Sequence, residues 1–330
     1  MSISSLESAA NDNRVLSDLI RRYINEIGLI LVIALLYFIF SFNAPGFNSL
    51  GNQMNILRDA AMVGIAAWAM TLVIIAGEID VSVGPMVAFS SVCLAYLLQL
   101  EISFALSALL ILLLGFGLGS VAGMLRGVFG IPSFVATLGL WSILRGLGLF
   151  MTDALPVPVE DSNVLDWIAG EIGVFPISAA AMLVIFVFFV FISHKTAFGR
   201  SIYAIGGNAT AAQLCGINVR AVRILVFALS GLMSAVTGIL LTARLGSGNA
   251  GAANGMEFDV IAAVVVGGTA LAGGKGSLFG SLLGVLVITL IGNGLVLLGI
   301  DSFFQQVVRG VIIVLAVLIN IQLLQNSRRR

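Results

Sequence analysis

The chain has 330 residues, 59% of them hydrophobic and only 10% charged, with a mean hydropathy of +1.12 and 16 basic residues balanced by 16 acidic ones. Water-soluble domains carry roughly 25% charged residues, so this composition excludes a soluble globular protein and leaves the lipid bilayer as the matching solvent. Zero net charge argues against nucleic acid as a partner.

The first 26 residues are polar, too long and too charged to read as a cleaved signal peptide. A span needs about 20 apolar residues, and by that measure there are about ten candidates. They lie near 27–42, 60–76, 83–100, 104–125, 131–151, 177–193, 224–243, 258–272, 277–299 and 304–323. Lys and Arg concentrate on the cytoplasmic side of membrane proteins. Arg14, Arg21 and Arg22 near the start and Arg328, Arg329 and Arg330 at the end therefore place both termini inside, which an even number of spans satisfies. Arg126, Lys275 and the loop from Lys195 to Arg223 fall on the same side, with Arg58 the one exception outside. The loop from Asp153 to Phe175 carries Glu160, Asp161, Asp166 and Glu171 but no Lys or Arg, and so belongs outside. The expected fold is an all-α polytopic bundle with some broken helices. It comprises one membrane domain over 27–325, a cytoplasmic segment over 1–26 and a basic tail over 326–330.

Two stretches interrupt the apolar pattern without an ordinary polar loop. One runs from Ala76 to Gly84 and contains Glu78, Asp80 and Ser82; the other is the glycine-rich Gly267–Ser277. Helix-free backbone in a bilayer is tolerated where protein or a watery cavity satisfies it, and such breaks often mark transport pathways. A tight turn between closely packed spans is the alternative reading of each. Arg145 lies inside the run 131–151 and Arg309 near the start of another. A charge there faces the bundle interior or a cavity; Arg145 either serves a pathway, by binding a water network or pairing with an acid such as Glu78 or Asp80, or it snorkels to the interface or makes a structural ion pair, the last being the favoured reading. Asn293, between Gly292 and Gly294 in mid-span, either bonds a polar ligand or bridges helices. Glu257 and Asp259 open a span as helix-capping acids.

The most polar stretch lies between Thr196 and Arg223. Within it Asn208-Ala209-Thr210-Ala211-Ala212-Gln213-Leu214-Cys215-Gly216 reads as a short helix with its own punctuation: Asn208 caps the start and Gly216 supplies the left-handed stop. Lys195, Arg200, Arg220 and Arg223 flank it. This pattern predicts a rigid knob presented to a cytoplasmic partner. Gly273-Gly274-Lys275-Gly276 fails the nucleotide-loop pattern at Thr269 and at Gly276, so the chain is not expected to bind ATP by that device. Nothing supports an enzyme. Cys93, Cys215 and the single histidine, His194, lack metal-ligand spacing, and no cofactor or metal is expected.

Three segments resemble the permease subunits of the ribose/simple-sugar family of bacterial ATP-binding-cassette importers. Gly77-Glu78-Ile79-Asp80-Val81-Ser82-Val83-Gly84 is similar to the family's Gly-Gly-Ile-Asp-Leu-Ser-Val-Gly. Gly199–Ile217 resembles its Gly-Arg-x-x-x-Ala-Ile-Gly-Gly-Asn followed by a short Ala-rich helix, and Asp259–Gly276 its Asp-x-Ile-Ala-Ala-Val-Val-x-Gly-Gly-Thr stretch. The departures are Glu78 for a glycine, and Thr210 and Cys215 in the short helix. The resemblance implies that Asn208–Gly216 is a coupling helix docking in a groove of a cytoplasmic ATPase, which itself binds ATP and Mg. It further implies a second permease chain (identical or paralogous) and an extracytoplasmic sugar-binding protein, with the chain in the bacterial cytoplasmic membrane. Glu78, Asp80, Ser82, Arg145 and Asn293 are the pathway candidates. An ion-coupled carrier or channel using Glu78, Asp80 and Arg145 is the rival reading.

Overall fold

The computed structural model describes residues 25–159 and 163–328. Arg14, Arg21, Arg22, Glu160, Asp161, Arg329 and Arg330 lie outside the described residues, and with them most of the 1–26 segment. The chain runs through α1 (Asn25–Asn43), α2 (Leu50–Ile75), α3 (Val83–Gln99), α4 (Phe104–Gly127) and α5 (Ser133–Thr152). It continues through α6 (Asn163–Ala169), α7 (Ile177–Lys195), α8 (Ala197–Gly207), α9 (Ala209–Leu214) and α10 (Val219–Leu245). The last three are α11 (Met256–Val266), α12 (Leu278–Leu297) and α13 (Ser302–Arg328). Two short antiparallel pairs decorate one end, Val157–Pro158 with Ser247–Gly248 and Glu171–Ile172 with Phe175–Pro176.

Among the described residues seven helices are long and apolar enough to cross a bilayer: α1, α2, α4, α5, α7, α10 and α12. The candidates at 83–100 and 304–323 rest on shorter apolar helices, Val83–Gln99 and Ser302–Leu315. The one at 258–272 is an 11-residue helix, because α11 stops at Gly267 and Gly268 takes φ +89°.

Helix α2 is the axis of the bundle. It is buried over nearly all of its apolar length and packs against α7, α10, α11 and α12. Trp68 sits fully buried on it and donates its Nε1–H to the Met182 carbonyl at 3.3 Å. The closest helix pair is α4 with α10, where Gly115, Gly119 and Gly123 recur every fourth residue. A Cβ at Gly119 would stand 2.2 Å from the Phe227 carbonyl oxygen, so only glycine permits this approach. Lipid is as apolar as leucine, so close backbone packing of this kind is what drives membrane helices together.

Polar side chains start several helices. Ser49, Thr196, Asn208, Asn218 and Ser277 each accept a first-turn N–H, satisfying donors that a helix start leaves free.

Candidate functional site

The knob is built as its punctuation predicts. Asn208 Oδ1 accepts from the Ala211 N–H at 3.0 Å, and Gly216 closes the helix at φ +84°. Ala212 is buried with Ile205 and Val219 beneath it, which seats α9 on α8 and the start of α10. The outward side holds Thr210, Ala211, Gln213 and Cys215, with Leu214 85% exposed at the tip.

What lies under the knob is a junction of backbones. The two breaks in the apolar pattern, 76–84 and 267–277, meet there: a Cβ at Gly273 would lie 2.9 Å from Gly77 Cα, and the Gly274 N–H donates to the carbonyl of Ile75, the last residue of α2, at 2.8 Å. Gly206, in the last turn of α8, is pressed onto the same place. A Cβ on it would fall 1.7 Å from Ile75 O and 2.4 Å from Gly274 N. Tyr203 of α8 adds a hydrogen bond to the Gly276 carbonyl at 3.1 Å. The helix carrying the knob thus touches the end of the central helix with no side chain between them. The first break is not an ordinary surface turn, since Glu78, Asp80, Val81 and Ser82 are all buried; the second leaves Gly268, Ala272 and Lys275 exposed.

The 76–82 segment is held by three neighbours. Ile79 and Val81 donate backbone N–H bonds to Ser133 Oγ and Thr137 Oγ1 of α5, both at 3.2 Å. Asp80 accepts from the Ser82 hydroxyl at 2.6 Å and from Ser230 of α10 at 2.7 Å. Glu78 receives Arg126 Nε from the end of α4 at 2.9 and 2.8 Å. Arg223 Nε from the start of α10 lies 2.7 Å away, paired by charge rather than by an aligned N–H. Backbone freed from helix is thereby satisfied by protein, and one buried carboxylate ties the ends of two long helices to the break.

Arg145 does not pair with Glu78 or Asp80. Its guanidinium reaches the opposite end of the bundle, donating to the Ala250 and Ala252 carbonyls at 2.6 and 3.2 Å and to Asn254 Oδ1 at 2.7 Å. The reason is direction: Glu78 is already flanked by two arginines, while the α10–α11 connection presents carbonyl oxygens that α5 faces. One turn back on α5, Trp141 donates to Glu257 Oε1 at 2.9 Å, so Glu257 is braced by α5 and is not simply a capping acid. Arg58 is not the one arginine at this end. It pairs with Glu171, Arg244 pairs with Asp59 at 2.5 Å and Arg309 with Asp259 at 3.0 Å.

Asn293 exchanges two amide hydrogen bonds with Asn52 of α2, at 3.0 and 2.9 Å. It lines a cavity of about 410 Å³ between α2, α10, α11, α12 and α13. Of the five pathway candidates it alone borders this cavity. Asn293→Ala is expected to leave the Asn52 amide short of partners and cost about 1–2 kcal/mol, read as a lowered unfolding midpoint; an unchanged midpoint would show the pair idle. Glu78, Asp80 and Arg145 have separate partners and do not form one relay. The partners that sequence reading missed are Arg126, Arg223 and Ser230.

Comparison with known proteins places these features in context. Residues 52–317 match the model of a family described as branched-chain amino acid transport system / permease component. The chain is 72% identical over 329 residues to the probable ABC transporter permease protein YphD of Escherichia coli strain K12, covering 100% of this chain and 99% of that protein. It is 37% identical over 310 residues to the ribose import permease protein RbsC of the same strain, covering 91% and 96%. To the L-arabinose ABC transporter permease protein AraH of Azospirillum brasilense it is 33% identical over 306 residues, covering 93% and 90%. No solved structure matches the chain.

Proposed function

Because the chain belongs to the ribose/simple-sugar type of ATP-binding-cassette permeases, multi-pass proteins of the inner membrane, we propose that it is the membrane subunit of an ATP-driven importer of a neutral monosaccharide, a pentose or hexose. In this reading it crosses the membrane about ten times with both termini cytoplasmic. It works with a second permease chain, and an extracytoplasmic binding protein delivers the sugar. Cytoplasmic ATPase subunits bind ATP and Mg and perform the hydrolysis.

The observation that carries the reading is the seat of α9. An anchored helix with Leu214 bare at its tip follows directly on α8, whose Gly206 meets the end of α2 at Ile75 and the second break at Gly274, backbone to backbone. A force applied at α9 reaches the central helix without passing through a flexible side chain. ATP can drive such a protein only by favouring one arrangement of its helices over another, and this contact is the route by which closure of the ATPases biases the bundle.

Reconstitution tests it. Sugar uptake into proteoliposomes is expected to require ATP, the ATPase and the binding protein together; uptake by this chain alone, or uptake abolished by an uncoupler at constant ATP, sinks the proposal. Gly216→Pro, or removal of Ala211–Leu214, is expected to abolish sugar-stimulated ATP hydrolysis while the chain still inserts. Hydrolysis that survives both changes would put the docking element elsewhere.

A further inference from the structure

We infer that the 410 Å³ cavity, a half-open cleft between the helices of a single chain, is a binding site for an uncharged, hydroxyl-rich solute. The inference rests on the transport reading above and assigns that reading a place. Small-molecule sites run to about 300–1,000 Å³ and combine an apolar lining with a few converging polar groups, and this cavity has that size and make-up. Met62, Val87 and Ile288 supply apolar wall, which suits the C–H faces of a sugar ring.

The polar wall is more specific. Its four charged residues are two acids and two bases, Asp59, Asp259, Arg244 and Arg309, and each acid is within ion-pair distance of one base. Both pairs are partly open to solvent, with Asp59, Arg244 and Arg309 each keeping 37% of their side chain exposed, but each acid beside its base leaves this wall with no net charge. A solute bearing its own charge would enter without a counter-charge and would have to break a pair to find one. A polyol brings donors and acceptors and no net charge. Each paired carboxylate retains lone pairs for hydroxyl hydrogens, and each guanidinium retains N–H groups for hydroxyl oxygens. Asn254 lies on the same wall, its Oδ1 held by Arg145, so α5 positions one face of the site from outside it.

The test is protection from alkylation. Thr289 lines the cavity and is buried. The Thr289→Cys chain, alone in proteoliposomes, is exposed to N-ethylmaleimide and the adduct at 289 is read by peptide mass spectrometry, so that Cys93 and Cys215 do not interfere. Ala262→Cys on α11 is the second reporter should the first fail to insert. D-Ribose, L-arabinose and D-glucose are the neutral probes, ribose 5-phosphate the charged one and potassium chloride the osmotic control. At ten times its dissociation constant a bound sugar slows labelling about elevenfold by mass action, while ribose 5-phosphate and potassium chloride leave the rate unchanged. Asp259→Asn strips Arg309 of its acid and is expected to let ribose 5-phosphate protect. No slowing by any neutral sugar up to about 100 mM, a hundredfold above an ordinary upper KM of about 1 mM, overturns the site, as does equal protection by ribose 5-phosphate in the parent chain. ATP-driven uptake in the absence of protection leaves the transport reading standing and removes this site. Protection in a chain that supports no ATP-driven uptake does the reverse.

Discussion

Gly206→Val is expected to uncouple the protein. The added Cβ alone would lie 1.7 Å from Ile75 O and 2.4 Å from Gly274 N, both backbone atoms that have no rotamer to retreat into. Overpacking in a tight contact costs about 1–3 kcal/mol even where side chains can yield. Here α8 itself must lift away from α2, and the Gly274-to-Ile75 hydrogen bond beneath it stretches or breaks. ATP-driven uptake should fall to background, with a clear drop in the thermal unfolding midpoint. Its neighbour is the control: nothing lies within 4 Å of a Cβ built at Gly207, so Gly207→Ala should insert and transport. If Gly206→Val transports at the parent rate, the backbone junction is not the route from the knob to the bundle.

The second large effect is expected at Glu78, whose carboxylate is shared by Arg126 and Arg223. Glu78→Ala leaves two guanidinium groups facing one another with no acid between them. Breaking a buried pair costs 3–5 kcal/mol; about 3 kcal/mol is expected here, because both arginines keep some contact with solvent. Arg126→Ala should be milder, about 1 kcal/mol, since Arg223 still neutralises the carboxylate. That asymmetry is the diagnostic, measured by denaturation of the purified variants in detergent. Combining Glu78→Gly with Arg223→Leu should recover part of the loss, because the stranded charge goes with its partner. Equal costs for the two single changes would show that Arg223 does not neutralise the carboxylate once Arg126 is gone.

Glu78 also illustrates how far a linear reading reaches. An acid set between two apolar runs demands a cation, and that much was visible without coordinates. Arg145 looked a suitable partner because it too stands inside an apolar run. The true partners, Arg126 and Arg223, sit at the ends of α4 and α10, where terminal arginines pass for ordinary interfacial charges. The same confusion hid Arg244, which is paired with an acid beside the cavity; Arg309 stood out inside an apolar run, but its partner Asp259 read only as a capping acid.

Local signals carried the knob and the breaks. A cap needs only an acceptor three residues from the N–H it takes, as Asn208 is from Ala211; a left-handed stop needs only Gly216; and a composition this apolar needs only the bilayer. None of these depends on what lies elsewhere in the chain. The cavity, the glycine junction under α8 and the choice of partner for each charge were settled by packing alone. In water, polarity marks which face of a helix is inside. In a bilayer, lipid and protein interior are both apolar, so nothing along α2 or α12 announced which side would meet a neighbour, and only the assembled helices decide it.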